Sequence, residues 1–210
     1  MAPYVSRHPP HRKRKTRVLV VGQGRETEPN YFRGLRQDPI VHQRFVVKVV
    51  PGKGETPLEA VRKAITISAA AKRIGKDEEY DLVLCVLDVE PLGQNPQLAE
   101  ARELAKQAGI RVALSNPAFE VWVLAHFTRT CRSFADCDKV VEEIRKHWPE
   151  YAKNDENIFD RLRKRTVAAI ENARQVREVD FKNVPDIVDC NSATEVYKVV
   201  GLLIGRGDGG

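Results

Sequence analysis

Acidic side chains, together with one amide, follow three apolar runs of the chain that are typical of β-strands. They are Gln23 and Glu28 after the run at 17–22, Asp88 and Glu90 after the run at 80–87, and Glu120 after the run at 111–114. Because the carboxyl ends of parallel strands meet at one edge of a sheet, where ligands bind, we expect these side chains to lie close together. Clustered carboxylates repel one another unless a hard cation lies among them. The sequence therefore predicts a Mg²⁺ or Mn²⁺ site suited to phosphodiester chemistry.

Asp88 and Glu90 are the most specific part of this pattern. Their i, i+2 spacing places both carboxylates on one face of the strand if the strand continues that far. A metal ion held there would activate a water molecule or polarise a phosphoryl oxygen. The alternative is that each acid is a turn residue or a helix cap after a buried strand, which explains one carboxylate more easily than two.

Three further residues are candidates with simpler alternatives. Glu120 lies in the first turn of a predicted helix, so stabilisation by the helix dipole is another explanation for it. Lys153 could stabilise the negative charge that develops on a phosphate, although lysines among charged residues are more often solvated. His126 is six residues after Glu120, well around the helix from it, and is expected to be a hydrogen-bonded packing residue.

The elements that position these residues alternate between strand and helix as far as residue 127. The pattern predicts strands at 17–22, 44–50, 80–87 and 111–114, and helices that begin near Thr27 (as the cap), Pro57, Gln97 and Asn116. After residue 127 it predicts only helices, at about 136–147, 156–178 and 193–204. This order indicates an α/β fold with a parallel sheet flanked by helices and a helical C-terminal part. We divide the chain into a basic flexible arm at 1–16, an α/β core at 17–128 and a helical part at 129–210 that packs on the core.

Positive charge is concentrated at the N-terminus. Residues 1–17 contain six basic side chains and no acidic one, which accounts for the whole formal net charge of +6. Such a block commonly binds nucleic-acid phosphates through counterion release, and the alternative is a solubility tail without a specific partner. The candidate nucleic-acid contacts are Arg12, Lys13, Arg14, Lys15 and Arg17.

Composition narrows the remaining classes. No apolar run approaches the ~20 residues that cross a bilayer, and the N-terminus has no apolar signal core, so we expect a cytoplasmic protein without a membrane partner. The four cysteines form no C-x-x-C, which favours reduced thiols over a zinc site at Cys131 and Cys137. The glycines at 22 and 24 do not continue into G-x-G-x-x-G, and the chain has no P-loop motif.

Taken together, five segments resemble the RloB-like family, small proteins found beside restriction systems and in phage-defence loci. The segments are G-Q-G-R-E-T-E-P-N-Y-F at 22–32, L-D-V-E at 87–90, S-N-P-A-F-E-V-W-V-L-A-H-F at 115–127, Y-A-K at 151–153 and N-S-A-T-E-V-Y at 191–197. The resemblance implies a Toprim-like sheet whose acids hold Mg²⁺ for phosphodiester cleavage. It also implies a role in antiphage abortive infection, by cutting RNA or DNA alongside an ATPase or another defence protein.

The chain departs from the family pattern at two positions, after the first strand and after the run at 80–87. Gln23 stands where the family usually has glutamate, and Asp88-Val89-Glu90 stands where it usually has D-x-D. An amide can ligate a cation weakly but cannot be a charged ligand or a general base. Glu26 or Glu28 could substitute for it, and Glu28, which is part of the family's T-E-P-N-Y-F motif, is expected to assist. The resemblance thus implies Gln23, Asp88, Glu90 and Glu120 as metal ligands, and Glu28, Asp88, Glu90, Glu120 and Lys153 as catalytic residues. The alternatives are a catalytically weak component that binds nucleic acid or a partner protein, and a small-molecule nucleotide enzyme, which no specific motif supports.

Overall fold

The structure, a computed structural model, describes residues 14–89 and 96–206. Four strands form one parallel sheet in the order β2-β1-β3-β4. The strands are β1 (Thr16–Gly22), β2 (Phe45–Val50), β3 (Leu82–Asp88) and β4 (Arg111–Ser115). The two central strands, β1 and β3, are apolar over nearly their whole length because both of their faces are covered. The predicted α/β class with a parallel sheet flanked by helices is confirmed.

Helices cover both faces of the sheet. They are α1 (Thr27–Leu35), α2 (Pro39–Arg44), α3 (Pro57–Ile74), α4 (Pro96–Gln107), α5 (Glu120–Ala125), α6 (Cys137–His147), α7 (Ile158–Leu162), α8 (Thr166–Gln175) and α9 (Val196–Ile204). One core lies between the sheet and α1 with α5–α9, and the other lies between the opposite face and α3 with α4. Alternate residues of β1 divide between the two cores, since Val18 and Val20 belong to the first and Leu19 and Val21 to the second. None of the helices in the described ranges is both long and apolar enough to cross a membrane.

The chain after α8 returns to the outer edge of β4. Ser115 and Thr194 form an antiparallel bridge, and their hydroxyl oxygens are 2.7 Å apart. The Asn116 amide donates to the carbonyl oxygens of Ile187 and Val188, at 3.1 and 2.7 Å. Two of the segments that carry the family resemblance therefore meet here, and their polar side chains hold the C-terminal part of the chain against the sheet.

Three local predictions are wrong. Thr27 is the first residue of α1 rather than its cap, because its hydroxyl donates to Glu120 and accepts no hydrogen bond from a backbone N–H of its own helix. The helix after β4 begins at Glu120 and not at Asn116, whose backbone N–H and carbonyl pair with Ala193 and Ser192. The single helix predicted over 156–178 is interrupted by a 3₁₀ turn at Arg163–Arg165, where three exposed cations offer no apolar side chain to pack. The division of the chain at residues 16 and 128 stays a prediction.

Candidate active site at the carboxyl edge of the sheet

Glu28 is a buried carboxylate in the first turn of α1, directly beyond the carboxyl end of β1. Its side chain is 5% exposed, and its Oε1 accepts a hydrogen bond of 2.8 Å from the backbone N–H of Gly24. A Cβ at Gly24 would lie 2.2 Å from Glu28 Oε2, so a side chain there would displace the carboxylate from this position. Burial raises the pKa of Glu28 to about 7, and the charge of Glu120 adds to the rise, while backbone hydrogen bonds and Lys153 oppose it.

Glu120, the first residue of α5, is equally buried and is held by three donors from distant parts of the chain. Its Oε1 accepts from the hydroxyl of Thr27 at 3.0 Å and from that of Tyr151 at 3.4 Å. Its Oε2 accepts from the thiol of Cys137 at 3.2 Å. Because both carboxylate oxygens are engaged, the position of Glu120 beside Glu28 is fixed by α1, α6 and the loop before α7.

Lys153 is connected to Glu120 through the sulfur of Cys137. The Lys153 ammonium donates to Cys137 Sγ at 3.0 Å and lies 3.9 Å from Asp138. Although partial burial lowers the pKa of Lys153, the contact with Cys137 and the charge of Glu120 outweigh it, so the net shift is upward. Burial and the nearby Glu120 raise the pKa of the Cys137 thiol. Lys153 is therefore an ammonium and Cys137 a thiol at neutral pH, and the thiol lies between Lys153 and Glu120.

Gln23 and Asp88 form a second contact at the same edge. The side-chain oxygen of Gln23 accepts the backbone N–H of Asp88 at 3.1 Å, and the Gln23 N–H donates to the Val86 carbonyl at 3.2 Å. The side-chain amide of Gln23 thus fastens the end of β3 to the end of β1. Asp88 is the last residue of β3 and is half-buried. Glu90 lies outside the described residues.

The described side chains at this edge do not form a complete site for Mg²⁺ or Mn²⁺. Within 14–89 and 96–206, no group of three or more His, Cys, Asp and Glu side chains could hold a metal ion. Both oxygens of Glu120 and the side-chain oxygen of Gln23 already accept hydrogen bonds from the protein. The expected ligand set of Gln23, Asp88, Glu90 and Glu120 stays a prediction, and it would need Glu90 to complete it. Among the described residues, Cys131 and Cys137 likewise do not belong to a group of three or more side chains that could hold a zinc ion.

The described basic residues of the N-terminal block lie at the start of β1, at the sheet edge opposite to Glu28. Arg14 pairs with Asp81 and Arg17 with Glu78, each at 2.6 Å, and Lys15 donates to the carbonyl oxygen of His42. Arg12 and Lys13 lie outside the described residues. Nucleic-acid binding by this block stays a prediction.

His126 is a packing residue, as expected. It is 2% exposed, and its Nδ1 donates to the Trp122 carbonyl at 2.9 Å while its Nε2 lies 3.4 Å from the Tyr31 hydroxyl. Burial lowers the pKa of His126 to about 4, so the ring is neutral at physiological pH.

Thr27, Cys137 and Tyr151 are site residues that the sequence did not single out for this role. Each donates to Glu120, from a distance along the chain of 93, 17 and 31 residues respectively. Thr27 and Tyr151 fall inside segments that carry the family resemblance, which was the available signal. Cys137 falls outside them, and no local pattern distinguishes it.

A cavity of about 700 Å³ opens elsewhere, between β4, α8 and α9. Its walls combine apolar side chains such as Leu84 and Leu202 with charged ones such as Arg111 and Glu178. None of the carboxylates at the carboxyl edge lines it. We therefore assign the chemistry to the edge that holds Glu28 and Glu120, since the cavity has no matching pair of buried acids.

The sheet, its strand order and the buried acids after β1 and β4 define an α/β protein with a polar site at the carboxyl edge. A family model described as RloB-like protein matches residues 18–203. The chain therefore belongs to the RloB-like family. No curated protein matches it, and no solved structure does.

Proposed function

We propose that this RloB-like protein is a cytoplasmic nuclease that hydrolyses phosphodiester bonds, and that Glu28 transfers the proton in that reaction. The observation that carries the proposal is the buried carboxyl of Glu28, whose pKa of about 7 lies near the pH of the cell. A group with such a pKa is efficient both as a general base and as a general acid. Its position at the carboxyl edge of a parallel sheet is where α/β folds bind ligands.

Glu120 and Lys153 have opposite effects on the pKa of Glu28. The negative charge of Glu120 favours the protonated form of Glu28, and the ammonium of Lys153 favours the ionised form. A cation fixed near the reacting phosphate would also stabilise the charge that builds up on its oxygens. Side chains can therefore supply both the proton transfer and the charge stabilisation that phosphodiester hydrolysis requires.

We also propose that the rate of cleavage depends on a divalent cation, which the experiment below measures. If Asp88 and Glu90 hold Mg²⁺ or Mn²⁺, the ion would supply Lewis-acid polarisation of a phosphoryl oxygen. The part played by Glu28 does not require the ion. From the family resemblance we further propose that cleavage of RNA or DNA serves antiphage defence, alongside an ATPase or another defence protein.

The test is cleavage of labelled RNA and DNA oligonucleotides in Mg²⁺, in Mn²⁺ and in EDTA. We expect Glu28→Gln to lose at least about 100-fold in rate, the usual contribution of a general acid or base, and Asp88→Asn to lose the dependence on added metal. The matched control is Glu103→Gln, an exposed acid on α4. Equal rates for wild type and Glu28→Gln would remove Glu28 from the mechanism.

A second candidate is a binding component with little catalytic activity. The observation that favours it is the structural use of Gln23, whose oxygen holds the N–H of Asp88 in place of the charged residue usual in the family. Salt-dependent binding of RNA or DNA without cleavage under any of the three conditions would favour this function over the nuclease.

A further inference from the structure

Two loops at the carboxyl edge are joined by hydrogen bonds into one surface next to Glu28. The first connects β1 to α1 at residues 23–26, and the second connects β2 to α3 at residues 51–56. The Gly52 N–H donates to the Gly24 carbonyl at 2.9 Å, and Arg25 Nε donates to the Lys53 carbonyl at 2.7 Å. A Cβ at Gly52 would lie 1.9 Å from the backbone oxygen of Gln23, so the loops touch too closely for a side chain there.

Arg25 is held in place on this surface although it is exposed. Its guanidinium lies beside Gly54, with Nε and Nη2 each 3.4 Å from the position that a Cβ would take. The φ of Gly54 is +79°, which glycine adopts without strain. Among residues 14–89 and 96–206, Nε donates to the Lys53 carbonyl and the two Nη atoms form no hydrogen bond, so their N–H groups can bind a ligand.

The positive charges of Arg25 and Lys53 are not neutralised by the described protein. Neither residue belongs to any of the ion pairs formed among residues 14–89 and 96–206. Arg14 and Arg17, by contrast, are paired with acids at the opposite edge. An ordered but unpaired guanidinium is suited to an anion, because less conformational entropy is lost on binding.

We propose that Arg25, assisted by Lys53, binds a backbone phosphate of a nucleic-acid strand and so presents a neighbouring phosphodiester to Glu28. The inference rests on the proposed nuclease function and names the surface that receives its substrate. Arg25 directly follows Gly24, whose N–H holds the Glu28 carboxylate, so the cation lies on the loop that positions the proton-transferring group. The planar fork of arginine forms paired hydrogen bonds with phosphate oxygens, whereas Lys53 contributes a point charge.

Binding without turnover tests this inference separately from catalysis. Fluorescence anisotropy would follow a labelled 20-nucleotide single-stranded RNA, and a DNA of the same length, in EDTA over a series of KCl concentrations. We expect Arg25→Ala to weaken binding about tenfold, as for the loss of a charge-assisted hydrogen bond. The slope of log K against log[salt] should fall by about 0.7 to 1, the value of one phosphate contact. Lys53→Ala should show a smaller loss of affinity with a similar change of slope.

The matched control is Arg73→Ala, which removes the same charge from the last turn of α3, at the opposite edge of the sheet. It should leave both affinity and slope unchanged. Arg25→Lys should recover the slope but not the full affinity, because it keeps the charge and loses the fork. Thermal melting of each variant checks that the fold is retained.

The outcomes separate the two proposals. If wild type binds and Arg25→Ala behaves like Arg73→Ala, the phosphate contact is wrong and the nuclease proposal is untouched. If a mononucleotide at the same phosphate concentration displaces the strand completely, the surface takes a free nucleotide and the inference is overturned. If wild type binds neither RNA nor DNA, the inference is overturned, and cleavage in Mg²⁺ and Mn²⁺ decides the nuclease proposal separately.

Discussion

Replacing Glu28 by glutamine should change how the stability of the protein depends on pH. The folded carboxyl has a pKa of about 7, against an ordinary value of 4.5. Between these values the folded protein binds a proton that the unfolded chain has released. Stability that is present below pH 4.5 is therefore lost progressively as the pH rises through 7. The side chain is 5% exposed, so solvent screening reduces this effect little.

The size of the effect follows from the difference between the two pKa values. One unit corresponds to about 1.4 kcal/mol, so the ionised carboxylate costs the folded state about 3 kcal/mol above pH 7. Glutamine has the shape of the protonated acid and keeps an oxygen to accept the Gly24 N–H. We therefore expect Glu28→Gln to match wild type near pH 4.5 and to be more stable by about 3 kcal/mol at pH 8.

The measurement is urea unfolding of wild type and variant from pH 4.5 to 8.5, followed by circular dichroism. Subtracting the two curves cancels titrating groups that the variant leaves unchanged, and Glu103→Gln provides a control for removal of an exposed carboxylate. A stability difference that does not vary with pH would refute the burial argument for Glu28. It would also remove the observation on which the proposed function rests.

Three other substitutions test separate parts of the structure. Wild type should lose about 3 kcal/mol of unfolding free energy as the pH falls from 6.5 to 4, because the buried ring of His126 has a pKa of about 4. His126→Gln should abolish this loss. If the unfolding free energy from urea titrations changed with pH equally in both proteins, the prediction would be contradicted. Gly52→Ala should destabilise by roughly 1–3 kcal/mol, since its Cβ meets the Gln23 backbone oxygen at 1.9 Å, and an unchanged melting temperature would show that the loops are not in contact. Gln23→Glu should increase the affinity for Mg²⁺ at least about tenfold by calorimetry if Asp88 and Glu90 bind the ion, and equal heats would argue against a metal at this edge.

The fold could be predicted largely from the sequence because its strands are local signals. The apolar runs that became β1 and β3 are buried on both faces, and a strand of that kind needs little tertiary information to identify. The start of α3 was equally clear, since Thr56 comes directly before Pro57, and in the structure Thr56 and Glu59 form a capping box around this first turn. The breaks in the later helices were missed, because a run of charged residues such as Arg163–Arg165 fits a helix pattern as well as it fits a turn.

The sequence predicted part of the site, and the contacts that it did not predict depend on tertiary packing. Glu28, Glu120 and Lys153 were candidates from their positions after strands and in the resembling segments, and the structure brings them together. The chain Lys153–Cys137–Glu120 was not foreseen, because it depends on how α6 packs against α5. A thiol between an ammonium and a carboxylate has no sequence signature. Only the packing of the helices makes Cys137 part of the site.

The amide at position 23 also changes how the charge of the site is controlled. A glutamate at Gln23 would accept the same N–H of Asp88, but it would place a further negative charge at the end of β3. With glutamine there, the buried acid after β1 is Glu28, and its ionisation is set by burial, by Glu120 and by Lys153. One proton then decides whether Glu28 is an acid or a base near neutral pH. Under the proposed nuclease function, activity should follow the titration of Glu28, and substitutions at Glu120 or Lys153 should shift the pH profile in opposite directions.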